Sequence, residues 1–294
     1  MNSILVLGID GFLGNRFFNF ANEKYNVLGT SRRPSTVDGY KVIYFDATNV
    51  DAIVEILEKY RPSVVINCIA ITDVDLCEKN VESCNILNNL LPSHLAFYTN
   101  QMGIKLVHIS TDHFQSELNE PRTEFTKVWA VNNYGKTKFD AENNIMAKDR
   151  DALIIRTNFF GFEANHKKVK LLSNIKERLE SGSNFTGFTD VVFSPVSINT
   201  LMPLIYKLIE VDVKGIINIS CNKAVSKFRF AQLVAIALNI SLEKIIPESI
   251  SSHSLLSKRP NYLALDNLNL RRTLDLEIAT LDAMIADELK LYHN

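Results

Sequence analysis

The chain has 294 residues, 46% of them hydrophobic, and a formal net charge of -1. That is enough apolar material for one large or two modest domains with real cores. Acids and bases are interspersed, without the basic excess that nucleic acid or a membrane surface selects, so no nucleic-acid and no membrane partner is expected.

The first apolar run, Ser3 to Leu7, stops at Gly8, far short of the roughly 20 residues that cross a bilayer. No basic segment or small-residue cleavage site precedes it, so a cytoplasmic protein without a secretory signal is expected. Cys68, Cys77, Cys84 and Cys221 lack C-x-x-C spacing and are expected to be reduced structural thiols, with no metal bound.

Strand and helix periods alternate from the start. Ile4 to Leu7 reads as a strand and Phe12 to Asn22 as a helix. Val27 to Gly29, Val42 to Phe45, Val64 to Asn67, Leu106 to Ile109 and Leu153 to Ile155 are short apolar strands. Helical segments fall at about 49–59 and 81–102, and another carries Tyr134 and Lys138. Apolar strands divided by helices imply a parallel sheet buried on both faces. Later come helices at 168–181, 198–210, 226–238 (capped by Ser226) and about 276–291, with a strand at Gly215 to Ser220. The fold class expected is α/β, a Rossmann-type doubly wound parallel sheet with a smaller C-terminal α/β substrate domain. The nucleotide domain would take 1–160, with parts of 190–215 and 255–268, and the substrate domain most of 161–294.

Gly8, Gly11 and Gly14 follow the first strand in G-x-x-G-x-x-G spacing. Gly8 allows the tight turn, Gly11 lets a pyrophosphate approach the backbone, and Gly14 lets helix pack on strand. The N–H groups of Phe12 and Leu13 open the helix toward the phosphates. Asp10 must then point away from them. After the second strand, Arg32 and Arg33 stand where an acid would hold the adenosine ribose of NADH, and they suit a 2′-phosphate, so NADPH is expected with NADH allowed. Asp46 can bind the adenine amine or start the next helix. Ala70, beyond the fourth strand, can line the cofactor or simply leave the strand.

Thr111 follows the strand that ends at Ile109, where open α/β sheets place their ligands, and stands 23 residues before Tyr134. Tyr134 and Lys138, four apart, share a helix face. An ammonium beside a tyrosine favours phenolate, and a threonine hydroxyl can bond a carbonyl oxygen, so the three suit proton transfer coupled to hydride transfer.

On these residues the chain resembles the extended short-chain dehydrogenase/reductases, and most closely the dTDP-4-dehydrorhamnose reductase family. The likeness takes in Gly8 to Gly14, Asn67 to Glu78, Asn85, His108-Ile109-Ser110-Thr111-Asp112, Asn132 with Tyr134-Gly135 and Lys138, and Ile155-Arg156-Thr157. Ser194-Pro195-Val196 and Arg259-Pro260 with Leu265-Asp266 extend it over nearly the whole length. The resemblance implies a Thr111–Tyr134–Lys138 triad, a substrate pocket near Val74 and Asp75 with Asp112 and Asn158 beside it, and NAD(P)H-dependent reduction of the 4-keto group of a nucleotide-activated 6-deoxy sugar. Arg259 suits the diphosphate or pairs with surface carboxylates. The chain departs from the family after Asp112, where His113-Phe114-Gln115 replaces a tyrosine and its turn, and His113 is either a replacement for that tyrosine or a second acid. Asp112 is not followed by Glu, against a dehydratase. An epimerase, another nucleotide-sugar reductase, or a regulatory subunit like that of methionine adenosyltransferase are the alternatives, and a homodimer is left open.

Overall fold

The computed structural model describes residues 3–22, 25–33, 42–162, 171–253 and 256–292. In chain order the elements open with β1 (Ser3–Leu7), α1 (Phe12–Asn22), β2 (Asn26–Ser31), β3 (Val42–Tyr44), α2 (Ala52–Tyr60) and β4 (Val64–Asn67). Then come α3 (Val74–Lys79), α4 (Val81–Asn85), a π-helical turn Ile86–Leu90, α5 (Leu91–Met102), β5 (Lys105–Ile109), α6 (Asn133–Lys148) and β6 (Leu153–Thr157). The later part carries β7 (Phe159–Phe160), α7 (Leu171–Glu180), β8 (Phe185–Phe188), β9 (Val192–Phe193), β10 (Val196–Ser197), α8 (Ile198–Glu210), β11 (Gly215–Ile219) and β12 (Val225–Ser226). It ends with α9 (Lys227–Ala237), β13 (Ile245–Glu248), α10 (Leu268–Leu274) and α11 (Leu281–Tyr292).

Seven strands form one sheet in the order β11-β6-β5-β4-β1-β2-β3. The pairs β1/β2, β1/β4, β2/β3, β4/β5 and β5/β6 are all parallel. This is the doubly wound order, and its strands are mostly apolar because both faces are covered. Leu5, Leu7, Val65, Leu106 and Ile154 pack with Ile53 and Leu57 of α2 and Leu91 and Leu95 of α5 in one buried cluster. The strand order reverses between β1 and β4, so their carboxyl ends lie where such sheets take ligands.

The chain divides into two compact units. Unit 1 is Met1–Thr111, Trp129–Arg156 and Tyr206–Ile217, and unit 2 is Asp112–Val128, Thr157–Ile205 and Asn218–Asn294. In unit 2, β7 pairs with β10 and β8 with β13 in parallel, while β9 and β12 are antiparallel. Phe230 of α9 meets Phe160 and Phe193 edge-on, at 5.2 and 5.5 Å between ring centroids.

Some boundaries differ from expectation for physical reasons. Strand β2 runs on through Thr30 and Ser31, which are buried although polar because Thr30 Oγ1 accepts the Gly8 N–H and Ser31 Oγ donates to Asp10. The expected helix at 81–102 is broken by the π turn, which turns Asn88 inward. The last helix starts later, after Asp275 ends α10 in the left-handed region at φ 47°. Of the helix expected at 168–181, residues 168–170 lie outside the described residues.

The cysteine expectation is corrected. Cys77 and Cys84 form a disulfide, and only Cys68 and Cys221 are free. Helices α3 and α4 meet at Asn80, a shared cap, and that turn brings the two Cα atoms to 5.4 Å. Spacing alone does not show it. Among the described residues no helix is long and apolar enough to cross a membrane.

Candidate active site

The glycine turn sits between β1 and α1 in unit 1. Gly8 has φ 84°, a conformation that side chains avoid, and a Cβ on Gly14 would run into the Gly8 carbonyl oxygen. The backbone is therefore packed close at the start of α1, where Phe12 and Leu13 form the first turn, and that turn holds no acid. Asp10 turns aside, accepting the Ser31 hydroxyl at 2.5 Å. A glycine-punctuated turn whose one carboxylate is held aside, leading into a helix with no acid in its first turn, fits a dinucleotide pyrophosphate.

Arg32 and Arg33 are exposed just beyond β2. Asp46 lies beyond β3, where its Oδ1 caps Thr48 through both N–H and hydroxyl. Those bonds hold its carboxyl below the usual range, with the Arg32 charge adding to them. Asp46 does not start the next helix, since α2 begins at Ala52 after Asp51; it closes a turn on Thr48 instead. Ala70, half-buried, belongs to the loop after β4, which Asn88 clamps by accepting from Ile71 N and donating to Ile71 O at 2.8 and 2.9 Å. Val74 is buried and packs with Tyr134, while Asp75 lies in the first turn of α3.

Thr111, Tyr134 and Lys138 all belong to unit 1 and are buried, at 5%, 8% and 1% exposure. Helix α6 is set by its cap Asn132, which accepts from Gly135 N, and by Glu78 of α3, which takes both N–H groups of Asn133 at 2.7 Å. Lys138 Nζ donates to Ile109 O at 2.7 Å and lies 3.0 Å from His108 Nε2. Burial pulls the lysine down to about 8, against the opposing pull of Glu142 and Cys68. Burial, then the lysine charge, holds His108 well below the ordinary histidine value. One turn further, Glu142 accepts from Ser110 Oγ and is gripped by Arg156 through Nε and Nη2. This network fixes the residue before Thr111 against the helix that carries Tyr134.

The other expected substrate residues, Asp112, Asn158 and Arg259, belong to unit 2. Asn158 donates to Asp112 Oδ2 at 2.8 Å, and Arg122 bonds the backbone oxygens of Asp112 and Phe114. Burial raises the Asp112 carboxyl, opposed by Arg122, Asn158 and Lys227. His113 is brought down to about 4 by burial and by Arg259, Arg122 and Lys227. A neutral imidazole there favours the tyrosine-replacement reading over a second acid. Lys227, at the start of α9, lies with Nζ 3.4 Å from the centroid of the Phe193 ring and is lowered to about 8 by enclosure.

Sequence reasoning singled out the glycine turn and the Thr–Tyr–Lys set but assigned nothing to several enclosed polar residues, those beside Lys138 in unit 1 and one beside Phe193 in unit 2. His108, Glu142 and Lys227 carried no role in it, and Asn88 was not noticed. The signal for Glu142 was its offset of four from Lys138.

The family model for the RmlD substrate binding domain matches residues 1–293. The chain belongs to that family. The probable low-salt glycan biosynthesis reductase Agl14 of Haloferax volcanii is 26% identical over 293 residues, covering 96% of this chain and 98% of the relative. The beta subunit of methionine adenosyltransferase 2 from Rattus norvegicus is 24% identical over 282 residues, covering 90% and 80%. The crystal structure of a dTDP-4-dehydrorhamnose reductase from Clostridium acetobutylicum superposes with a TM-score of 0.85 at 27% identity, over 99% of this chain and 100% of that one. A dTDP-4-dehydrorhamnose reductase from Bacillus anthracis in complex with NADP gives 0.86 at 23%, over 99% of both chains, which bears on the fold alone. RmlD-family membership accounts for the order of the motifs over the whole length.

Proposed function

We propose that this protein is an NAD(P)H-dependent oxidoreductase that reduces the 4-keto group of a nucleotide-activated 6-deoxy sugar. The observation that carries the reading is the pairing, in one unit, of a tightly packed glycine turn with buried Thr111, Tyr134 and Lys138. Membership of the RmlD family and the likeness to the Clostridium reductase support it.

Gly8, Gly11, Gly14 and the first-turn amides of Phe12 and Leu13 would hold the dinucleotide, Arg32 and Arg33 its 2′-phosphate, and Ala70 and Asp46 its flanks. When bound, the reduced nicotinamide supplies a hydride. Tyr134 gives its phenolic proton to the oxygen at C4 as that carbon is reduced, and Thr111 donates a hydrogen bond to the same oxygen. Lys138 would hold the nicotinamide ribose and keep the tyrosine in place. Val74, Asp75, Asp112, Asn158 and Arg259 are assigned to the substrate, with Arg259 on the diphosphate. The reading carries with it a cytoplasmic setting in nucleotide-sugar biosynthesis. The Cys77–Cys84 disulfide pulls the other way on compartment.

The test supplies dTDP-, UDP- and GDP-linked 4-keto-6-deoxy hexoses with NADPH and follows absorbance loss. Turnover with one of them, falling about 10²-fold or more in Tyr134→Phe while NADPH still binds, is the expected result. If protein that binds NADPH consumes none, a partner role like that of the methionine adenosyltransferase beta subunit replaces the enzyme reading.

A further inference from the structure

Lys227 of unit 2 carries a charge to which the proposed reaction gives no task. It is the first residue of α9, directly after the cap Ser226, whose hydroxyl accepts the Arg229 N–H at 3.0 Å. A cation there stands against the helix dipole, whose positive end lies at the N-terminus. The backbone fixes it nonetheless. Strands β12 and β9 pair Val225 with Phe193 and Ser226 with Val192, and Lys227 N donates to Val191 O at 2.9 Å. The side chain is half-buried and lays Nζ 3.4 Å from the centroid of the Phe193 ring. Phe193 is itself buried, with Phe230 edge-on to it, so the ammonium rests on a fixed platform. A ring face attracts the cation but accepts no conventional hydrogen bond from its three N–H groups. Among the described residues Nζ enters no hydrogen bond and no ion pair.

The opposite charge that acts on it is Asp112. Each favours the charged form of the other, yet the two are not joined. Lowered to about 8 by enclosure, Lys227 is still an ammonium at pH 7. Asp112 Oδ2 accepts from Asn158 at 2.8 Å, and Arg122 reaches the Asp112 backbone oxygen instead of the carboxylate. A donor with free hydrogens and a carboxylate in its field, out of bonding reach of each other, suit a group that both accepts and donates. A hydroxyl is such a group. A phosphate is not, because it brings the carboxylate a like charge and no hydrogen.

We infer that Lys227 is a specificity-determining residue that, together with Asp112, binds a ring hydroxyl of the sugar, Nζ donating to the hydroxyl oxygen and the Asp112 carboxylate accepting from it. This rests on the reading of the chain as a nucleotide-sugar reductase and adds to it which part of the substrate unit 2 reads. A 4-keto-6-deoxy hexose keeps hydroxyls at C2 and C3, so one of these is the group held. A sugar lacking it leaves an ammonium and a carboxylate without their partner, and a polar site rejects such an analogue far more strongly than an apolar pocket rejects an extra methylene.

The test uses the full chain without NADPH. Titration calorimetry compares dTDP-glucose with dTDP, and the UDP and GDP pairs likewise. The free diphosphate lacks the sugar, and glucose has the C2 and C3 hydroxyls of the substrate. In Lys227→Met the affinity for the best-bound glucose nucleotide should fall by roughly tenfold or more, the worth of a hydrogen bond from a charged group, while that for its free diphosphate stays unchanged. Equal losses for both would give Lys227 to the diphosphate or to packing, and no loss for either would leave it to water. Both results overturn the inference, as does the failure of every glucose nucleotide to bind. In protein carrying ¹³Cε-lysine, the Lys227 signal (the one missing from Lys227→Arg) should move when the glucose nucleotide is added and stay when the diphosphate alone is added. A signal that treats the two alike overturns the inference. That signal is read on the unaltered chain, so it decides the matter even if Lys227→Met does not fold. The expected affinities with no keto sugar consumed would sink the proposed reaction and leave this inference standing. A keto sugar consumed with the same KM by Lys227→Met would sink this inference alone.

Discussion

Replacing Glu142 with Gln should be among the most damaging single changes in unit 1. The Glu142 carboxylate is 2% exposed and takes three bonds from Arg156 at 2.7 to 3.1 Å, besides the Ser110 hydroxyl. Glutamine keeps the shape but removes the charge, and its amide can offer only one oxygen to the guanidinium. Arg156 is then left as a buried cation without its counter-charge, and breaking a buried pair in this way costs about 3–5 kcal/mol. At about 2–4 °C per kcal/mol for a cooperative unit of this size, Tm should fall by roughly 6–20 °C. Urea unfolding with tryptophan or circular-dichroism detection gives the free energy, and scanning calorimetry gives Tm. The double change Glu142→Leu with Arg156→Met should recover most of the loss, because removing both charges also removes the desolvation cost. A loss in Glu142→Gln below about 1 kcal/mol, the value of an exposed pair, would refute the placement of this network in the core.

Replacing Arg32 and Arg33 together with Ala should weaken NADPH by roughly tenfold or more while leaving NADH unchanged, since a charge-assisted bond contributes about 1.5–3 kcal/mol. Fluorescence titration of both dinucleotides checks this, and equal losses for the two would refute it. Stability should fall on acidification below about pH 6.5, the ordinary histidine value. There the unfolded chain binds protons that buried His108 refuses, and His113, held down to about 4, extends the loss toward that pH. Urea midpoints between pH 7.5 and 4 should therefore decline, and His108→Gln with His113→Gln should flatten the decline. Thiol titration of protein denatured without reductant should count two free cysteines, Cys68 and Cys221, rising to four with reductant. Four without reductant would remove the disulfide.

Much of the nucleotide-binding architecture is legible in the sequence because doubly covered parallel strands must be apolar. Ile4 to Leu7, Val64 to Asn67 and Leu153 to Ile155 announce themselves as such. Glycines 8 and 14 are legible because no side chain fits where they stand. Long-range polar partnerships are not. Asn67 and His108 lie on neighbouring strands 41 residues apart, and each alone reads as an interruption in an apolar run. Asn88 hides in a helical pattern because only a π turn aims it inward. Lys227 reads as a solvated residue after the Ser226 cap, and nothing local says that Phe193 lies beneath it. The two-residue strands of unit 2 are too short to show a period.

The most direct test of the central claim follows one atom. NADPH deuterated at the transferable position of the nicotinamide is incubated with the protein and dTDP-4-keto-6-deoxyglucose, and the sugar product is read by mass spectrometry and proton NMR. The account predicts one deuterium per molecule, bonded to C4, with transfer nearly abolished in Tyr134→Phe. Label at another carbon, product formed without label, or unchanged transfer in Tyr134→Phe would contradict it.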